Sequence, residues 1–500
     1  MRNIKRITTG VIWFLIGICV LPFILLQIPA IQEYIAGQTA TLLSDKIGVP
    51  VSVGRINYGL FNRIIIDGVT INDRQQQEMI KSARISAKVD VLPLLNGKIS
   101  VSSAQIFGTH INIYQPTAES EHNIQFLIDA LASKDTTSSN PLDLRVNSLI
   151  IRHSSVSYNR HFIPETPEKL NPNHLEVSDI SAHILLKALR QDSINCQIKK
   201  LALKEHSGAV IDKLTLHFEA GRHGGRLTDF NLVMPNSHLT ADSIVATFEA
   251  HGNKIKSGTL RFHGAIGKSQ IGISDLAFLQ PAFDGADRDI VLESRFHGTD
   301  GEFTLDHLHA AFNADVIAKA LAMNDSTVAR IGNIAIETKG RIDTLGSGNI
   351  DIRLNTDAGN LKLLASADEK HKIQGKLLTD TLNATRILPK ANIGRVMADI
   401  NISGLYDSNE KKADIKMNGT LPHFEYNRYT YRNIGLEASY NPDRITGGID
   451  IDDINAIVDI DADLALKGNK HDLILLAHID TLMPKALNLS DKWDEACFTG

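Results

Sequence analysis

Two groups of side chains have the types and spacing to do chemistry. His307 and His309 stand two apart in an alternating run, so they share one face of a strand and could meet a metal ion. No third ligand type follows at a suitable spacing, and two solvent-facing histidines are the simpler reading. Asp459, Asp461 and Asp463 match the opening of a D-x-D-x-D calcium loop, but Leu464 stands where that loop needs glycine and Lys470 where it needs a bidentate glutamate. Alternation of these aspartates with Ile460 and Ala462 describes instead a strand with one wet and one dry face. The chain contains no G-x-S-x-G, G-x-x-x-x-G-K-[ST] or H-E-x-x-H, and no G-x-G-x-x-G after a strand. Cys19, Cys196 and Cys497 are far apart and have no C-x-x-C or histidine neighbours at zinc spacing, so at most one long-range bridge is open to them. We therefore expect no catalytic, cofactor-binding or metal site, and no enzyme.

The elements that would carry any other activity are mostly strands. With 43% hydrophobic and 22% charged residues, the 500-residue chain can bury ample apolar surface. Its net charge of −5 provides no basic field for a phosphate backbone, which makes nucleic acid an unfavourable partner. After Pro50, apolar residues alternate in short runs broken by glycine, as in Val51 and Val53, Ile64 and Ile66, and Val69 and Ile71. The same style recurs at 85–91, 106–113, 149–158, 214–218, 350–354, 396–402 and 449–451. At roughly 12 residues per strand with its connection, the body holds about 30 to 40 strands. A helix is expected over 123–132, where Ile124, Leu127, Ile128 and Leu131 follow helical spacing, with weaker ones near 316–323 and 381–388. The run from Val101 through Ile106, Ile111 and Ile113 can be laid over that from Val146 through Ile151, Val156 and Tyr158 at an offset of 45 residues. A unit repeated in this way tends to stack into an extended β body.

The amino end carries the targeting signal. Ile7 to Gln32 is a run of 26 residues without a charge, preceded by Arg2, Lys5 and Arg6. At about 1.5 Å per residue it can span a hydrocarbon core of about 30 Å, with the basic cluster held in the cytoplasm. We read 1–32 as cytoplasmic tip and transmembrane anchor, with Trp13, Phe14, Leu15, Ile16, Leu21, Phe23, Ile24 and Leu25 in contact with the membrane. The run is longer than the core of a cleaved signal peptide, and a cut at Ala30 would follow Ile28 and Pro29. Over 33–48, together with Ile31, the residues Tyr34, Ile35, Leu42, Leu43 and Ile47 form a near-helical stripe ended by Gly48-Val49-Pro50. Such a linker helix is expected to pack on the first strands, with a membrane-surface role as the alternative.

Gly54-Arg-Ile-Asn-Tyr-Gly-Leu-Phe-Asn-Arg-Ile-Ile-Ile-Asp-Gly-Val-Thr-Ile-Asn-Asp73, continued through Ala83-Arg-Ile-Ser-Ala and 91–99 to Gly108-Thr-His-Ile-Asn-Ile-Tyr114, resembles the opening module of the AsmA-like superfamily, and of its TamB branch in particular. Phe424 to Ala438, followed by Gly448-Ile-Asp-Ile-Asp-Asp-Ile-Asn455, is similar to the TamB style of Bacteroidetes. The resemblance implies a mostly β chain: a transmembrane helix followed by an elongated, curled antiparallel β-groove, taco-like in section, with a few short helices. It divides the body into an AsmA-like module over 49–160 and a repeated groove over 161–500. TamB proteins are longer and end in a domain that meets the outer membrane, so this chain resembles an amino-terminal fragment. The implied localisation is the bacterial inner membrane with the body in the periplasm. The implied function is envelope biogenesis, carrying phospholipid between the inner and outer membranes, with a TamA-like outer-membrane barrel as partner. The alternative is a scaffold of the translocation and assembly module that assists insertion of outer-membrane proteins or protein secretion. For the conduit, Ile350, Ile352 and Leu354 are the candidate groove-lining set.

The anchor reading sets the mature terminus. Intact-mass analysis of the membrane-extracted protein should find residues 1–30 retained; a terminus near Ile31 would show cleavage and remove the anchor.

Overall fold

The computed structural model describes residues 25–59, 62–90, 101–132, 147–166, 169–190, 193–251, 254–320, 328, 330–407, 412–466, 472–494 and 496–499. These hold 27 strands and the helices α1 (Pro29–Ile47), α2 (Gln125–Ala132), α3 (Asp315–Ala320) and α4 (Ala384–Ile387). The strands are fewer than the spacing estimate because many run for ten residues or more. Apart from one two-residue hairpin, they belong to one large sheet. Contacts divide the chain into two units: Met1–Arg222 with Arg226–Ser237 and Asp275–Pro281, and His223–Gly225 with His238–Ser274 and Ala282–Gly500.

In the first unit, β1 (Val51–Gly59), β2 (Arg63–Asn72), β3 (Glu78–Val89) and β4 (Val101–Gln115) pair antiparallel in sequence order. β4 then pairs in parallel with β5 (Ser148–Arg160), an exception to the expected antiparallel sheet. A parallel neighbour needs a long crossover, and α2 lies in it. Ile106 faces Ile151, Ile111 faces Val156 and Ile113 faces Tyr158, so the 45-residue repeat is the register of this pair. Side chains cross the pair at the same offset: Ser157 Oγ donates to Asn112 Oδ1 (2.9 Å) and Arg160 Nε to Gln115 Oε1 (2.9 Å). Antiparallel pairing resumes with β6 (His174–Arg190), β7 (Ser193–Glu205) and β8 (Val210–Gly221), and β9 (Gly224–Val233) follows.

α2 buries Phe126 against Val49 and Met79, flanked by Ile71, Ile80, Ile124 and Leu127. Its approach is fixed by Asn123, whose Oδ1 accepts from Tyr114 N (3.0 Å) and whose Nδ2 donates to Asn112 O (2.9 Å). The expected helix start at Asn123 moves two residues because that side chain is bound to β4. α1 corrects a second expectation. Ile47 of the expected stripe packs against the cluster around Phe126, but the buried residues of α1 are Gln32 and Ala36, outside the stripe, and Tyr34 and Leu42 are 68% and 70% exposed.

Several strands of this unit bend at one residue in the left-handed region: Gly68 (φ 66°), Gly108 (φ 58°), His153 (φ 49°) and Asp179 (φ 53°). At each, the apolar alternation restarts in the opposite phase; β2 changes from Ile64 and Ile66 to Val69 and Ile71, and β4 from Ile106 to Ile111 and Ile113. A one-residue slip would send an apolar set to the other face, and the bend compensates for it.

In the second unit β10 (His238–Thr247) precedes the short hairpin strands β11 (Ala250–His251) and β12 (Lys254–Ile255) and pairs with β13 (Arg261–Gly272). β14 (Asp289–Thr299), β15 (Glu302–Asn313), β16 (Asn333–Asp343), β17 (Gly348–Thr356), β18 (Gly359–Ala367), β19 (Lys372–Asn383), β20 (Ile393–Asp407) and β21 (Lys412–Tyr426) continue the antiparallel ladder. The three-residue β22 (Tyr429–Tyr431) caps one end of β21, whose remaining edge pairs with β23 (Ile434–Asn441). β24 (Arg444–Asp453), β25 (Ala456–Ala465), β26 (Asp472–Leu482) and β27 (Ala496–Thr499) complete it. α3 and α4 sit in the β15–β16 and β19–β20 connections; α3 overlaps the expected range 316–323 and α4 lies within 381–388.

Tyr114 ties β4 to the β2–β3 turn. Its hydroxyl donates to the fully buried Asp73 (2.7 Å), which also accepts from Gln75 N and Gln77 N, both at 2.9 Å. Burial and the neighbouring carboxylate push the phenol up to about 12, so the hydroxyl remains a donor throughout the neutral range. Because the folded value lies above the ordinary 10.0, this contribution is present below pH 10 and fades as pH rises towards about 12. Tyr114→Phe should cost about 1–3 kcal/mol locally by leaving a buried carboxylate short of one donor. Hydrogen exchange at the amides of 75–80 should quicken at neutral pH; unchanged protection would show that the bond contributes little.

Candidate functional site

The second unit concentrates its apolar side chains on one face. Starting at Leu308 of β15, directly paired residues read Thr338, Ile352, Leu363, Leu377 and Ile400 across β16 to β20. The row continues as Gly419, Leu436, Ile449, Ile460 and Ala477 to β26. In the other direction it passes through Ser294 and Ile266 to Ala241. The next row on the same face contains Phe296, Leu305, Gly340, Ile350, Ala365, Gly375, Ile402 and Met417. On the other side of Ile352, Leu354 pairs with Ile336 and Leu361. No ionisable residue stands in these rows.

The alternate residues form a charged face. Glu293, His309, Glu337, Arg353 and Lys362 are directly paired in that order. Lys376 bridges to Asp399 (2.9 Å) and His297 to Asp306 (2.9 Å), and Arg444 is paired with Asp463. The Arg444 guanidinium holds the Asp463 carboxyl below its ordinary value despite the opposing effect of desolvation. These exposed pairs add little stability; what they fix is which face stays wet. In the first unit, burial pushes Asp67 up, but hydrogen bonds from Arg84 (2.6 Å) and Arg55 (3.3 Å) outweigh it and keep the carboxyl low.

Neither group of candidate ligands converges. Asp459, Asp461 and Asp463 lie along extended β25, opposite Asp450, Gly448 and Thr446. His307 faces Arg295, and His309 lies between Glu293 and Glu337. Among the described residues no three histidine, cysteine or acidic side chains come together to hold a metal ion. A cleft of about 180 Å³ gathers Asp306, His307, Glu337, Lys339, Asp351 and Arg353, an assembly of opposite charges on the polar face. Cys196 is a free, half-buried thiol raised by desolvation.

The proposed lining set is thus brought together by register. Ile350 is 39% exposed and Ile352 and Leu354 are half-buried, as are Leu361, Leu363, Leu377 and Ile400 around them. A layer packed over this face would have buried them. A fully buried cluster of Tyr431, Ile434, Ala456, Val458, Ile479 and Leu487 adjoins these rows, and Leu436 and Ile460 pack against it. The only polar groups in the central rows are hydroxyls, and those of Thr338 and Thr379 are buried without a partner.

Alternation alone does not reveal how bulky rings fit on such a face. A Cβ on Gly264 would stand 2.7 Å from Phe296 Cζ, and one on Gly298 2.6 Å from Phe262 Cζ. Each ring therefore lies over a paired glycine, and Phe303 stacks beside both rings with centroids 6.3 and 6.1 Å away.

Of the expected anchor, Trp13, Phe14, Leu15, Ile16, Leu21, Phe23 and Ile24 lie outside the described residues, whereas Leu25 is 43% exposed just ahead of α1. No helix among the described residues is long and apolar enough to cross a membrane. Compared with protein-family models, curated proteins and solved structures, the chain matches none.

A partly exposed apolar face of this extent should take up an environment-sensitive dye such as bis-ANS under native conditions, with no change in β circular dichroism. Absence of dye binding by the folded chain would show that the face is covered.

Proposed function

We propose that the chain is an inner-membrane-anchored periplasmic protein of envelope biogenesis that carries phospholipid between the inner and outer membranes. Residues 7–32 supply the anchor, the sheet curls into a groove, and acyl chains travel along its apolar face while headgroups remain in water. A TamA-like barrel is the proposed partner at the outer membrane. The observation that carries this reading is the row from Ala241 to Ala477, which crosses the ladder without a charge.

Continuity is what a transfer path requires. An acyl chain taken from a bilayer loses about 0.8 kcal/mol for each CH₂ left in water, so even a short wet gap raises a barrier of several kcal/mol. At about 4.8 Å per strand, the fourteen residues of the row cover roughly 60 Å of sheet. The reaction is a transfer without bond making, for which an apolar surface with few hydroxyls suffices.

The alternative reading is a scaffold of the translocation and assembly module that offers a strand edge to a protein client.

Lipids bound to the detergent-extracted chain, measured by mass spectrometry, distinguish the two. The conduit reading expects stoichiometric phospholipid, reduced severalfold by Ile352→Asp with β structure retained, because an unpaired charge among acyl chains is costly. Unfolding of that variant would mark an ordinary core, and undiminished lipid would exclude Ile352 from the path. Bound polypeptide without lipid would favour the scaffold.

A further inference from the structure

α1 has apolar residues on two sides, and the fold uses only one of them. Towards β1 it buries Gln32 (4% exposed) and Ala36 (0%), Gln32 Nε2 donates to Asn57 Oδ1 (3.1 Å), and Ser44 Oγ accepts from Val51 N (2.9 Å). At about 100° per residue, Ile31, Tyr34, Ile35 and Leu42 fall together on a second stripe turned away from Gln32 and Ala36, interrupted by the exposed, uncharged Gln38. Tyr34 and Leu42 are its most exposed members, Ile31 and Ile35 are half-buried, and Asp45 closes the stripe at its far end.

We propose that α1 lies in the interface of a lipid bilayer, with this stripe seated among headgroups and upper acyl chains, and so holds β1 against the membrane. The proposal rests on the anchor assigned to residues 7–32. Three observations select lipid as the occupant. The uncharged run ends within the first turn of α1, so an embedded run keeps the stripe next to the bilayer. The chain turns at 26–28, Ile28 is extended (φ −75°, ψ 121°) and Pro29 opens α1, which makes it a separate helix free to leave the direction of the preceding segment. Gln27 Nε2 donates to Tyr58 O (3.0 Å), fastening that turn to β1. A second copy of the chain fits less well, since four side chains on one helix fall short of the roughly 800 Å² per partner of a stable interface.

The consequence for transfer is positional. A helix is about 10 Å across, so a helix lying in the interface keeps the first strand within that distance of the bilayer. Lipid then has a short step from membrane to sheet.

The test uses the full-length chain in vesicles of phosphatidylcholine and phosphatidylglycerol, a fraction of which carry brominated acyl chains. Leu42→Trp and Gly37→Trp are each made in a parent carrying Trp13→Phe and Trp493→Phe, and the chain carrying Trp493→Phe alone reports on Trp13. Gly37 is a clean control: it is exposed on the opposite flank of α1, and a Cβ there meets nothing within 4 Å. Brominated lipid should quench Leu42→Trp at least twofold more than Gly37→Trp, with Trp13 also quenched. Quenching of Trp13 without that of Leu42→Trp would overturn the interfacial helix and leave the anchor standing. Failure of both would remove the anchor as well. Protection of Leu42→Trp from iodide without quenching by brominated lipid would show that protein covers the stripe, and would likewise overturn the proposal.

Discussion

The constraint on which the rest depends is that each strand must present its apolar set to the same side as its neighbours. Side chains alternate with period two, so an uncorrected shift of one residue anywhere in the ladder would place aliphatic residues among charges and charges among aliphatic residues. The second unit meets this through register: Ile352 stands between Thr338 and Leu363, while its neighbours Asp351 and Arg353 stand on the other face with Lys339 and Glu337. Where spacing slips, the backbone absorbs the slip. β13 shifts register between Ile266 and Ser269, β15 between Leu305 and Leu308, and β19 between Thr379 and Leu382, and apolar residues resume beyond each shift. In the first unit the residues of positive φ at 68, 108, 153 and 179 have the same effect.

An apolar face left partly open is expensive for a protein in water, at about 25 cal/mol for each Å² exposed. Natural chains usually remove such a face by packing a second layer on it, and large open patches mark surfaces with a partner. Ile350 and Ile449 at 39% and 41% exposure are therefore more informative than the buried cluster around Tyr431, which any stable sheet end could contain. Charges opposite them keep the other face soluble and oppose inversion of the strands. Glycines beneath Phe262 and Phe296 let rings lie flat on the sheet where a side chain would have raised them.

Much of this was legible in the alternation of residue types. Asp459, Asp461 and Asp463 read as a wet strand face, and they take that position opposite Ile460 and Ala462. The strands and the helix near Phe126 follow from period two and helical spacing. The repeat at 45 residues was visible, but its meaning as a parallel pair was not, because similar strands look alike whether they run in the same or opposite directions. α1 was partly misread for a related reason: apolar positions show that a helix has something to cover, not which side the fold covers, and the polar Gln32 and the small Ala36 that seat it carry no strong signal. Bends such as His153 and Asp179 were also hidden, since residues other than glycine adopt positive φ only where the surrounding ladder holds them.

The central claim is that one face of the ladder is a lipid path and the other is not. A photoactivatable side chain placed in turn at 349 to 355 of β17, in cells carrying the full chain, tests it most directly. Phospholipid adducts at 350, 352 and 354, with none at 349, 351, 353 and 355, are the expected result. Adducts without alternation, or none on either face, would contradict it.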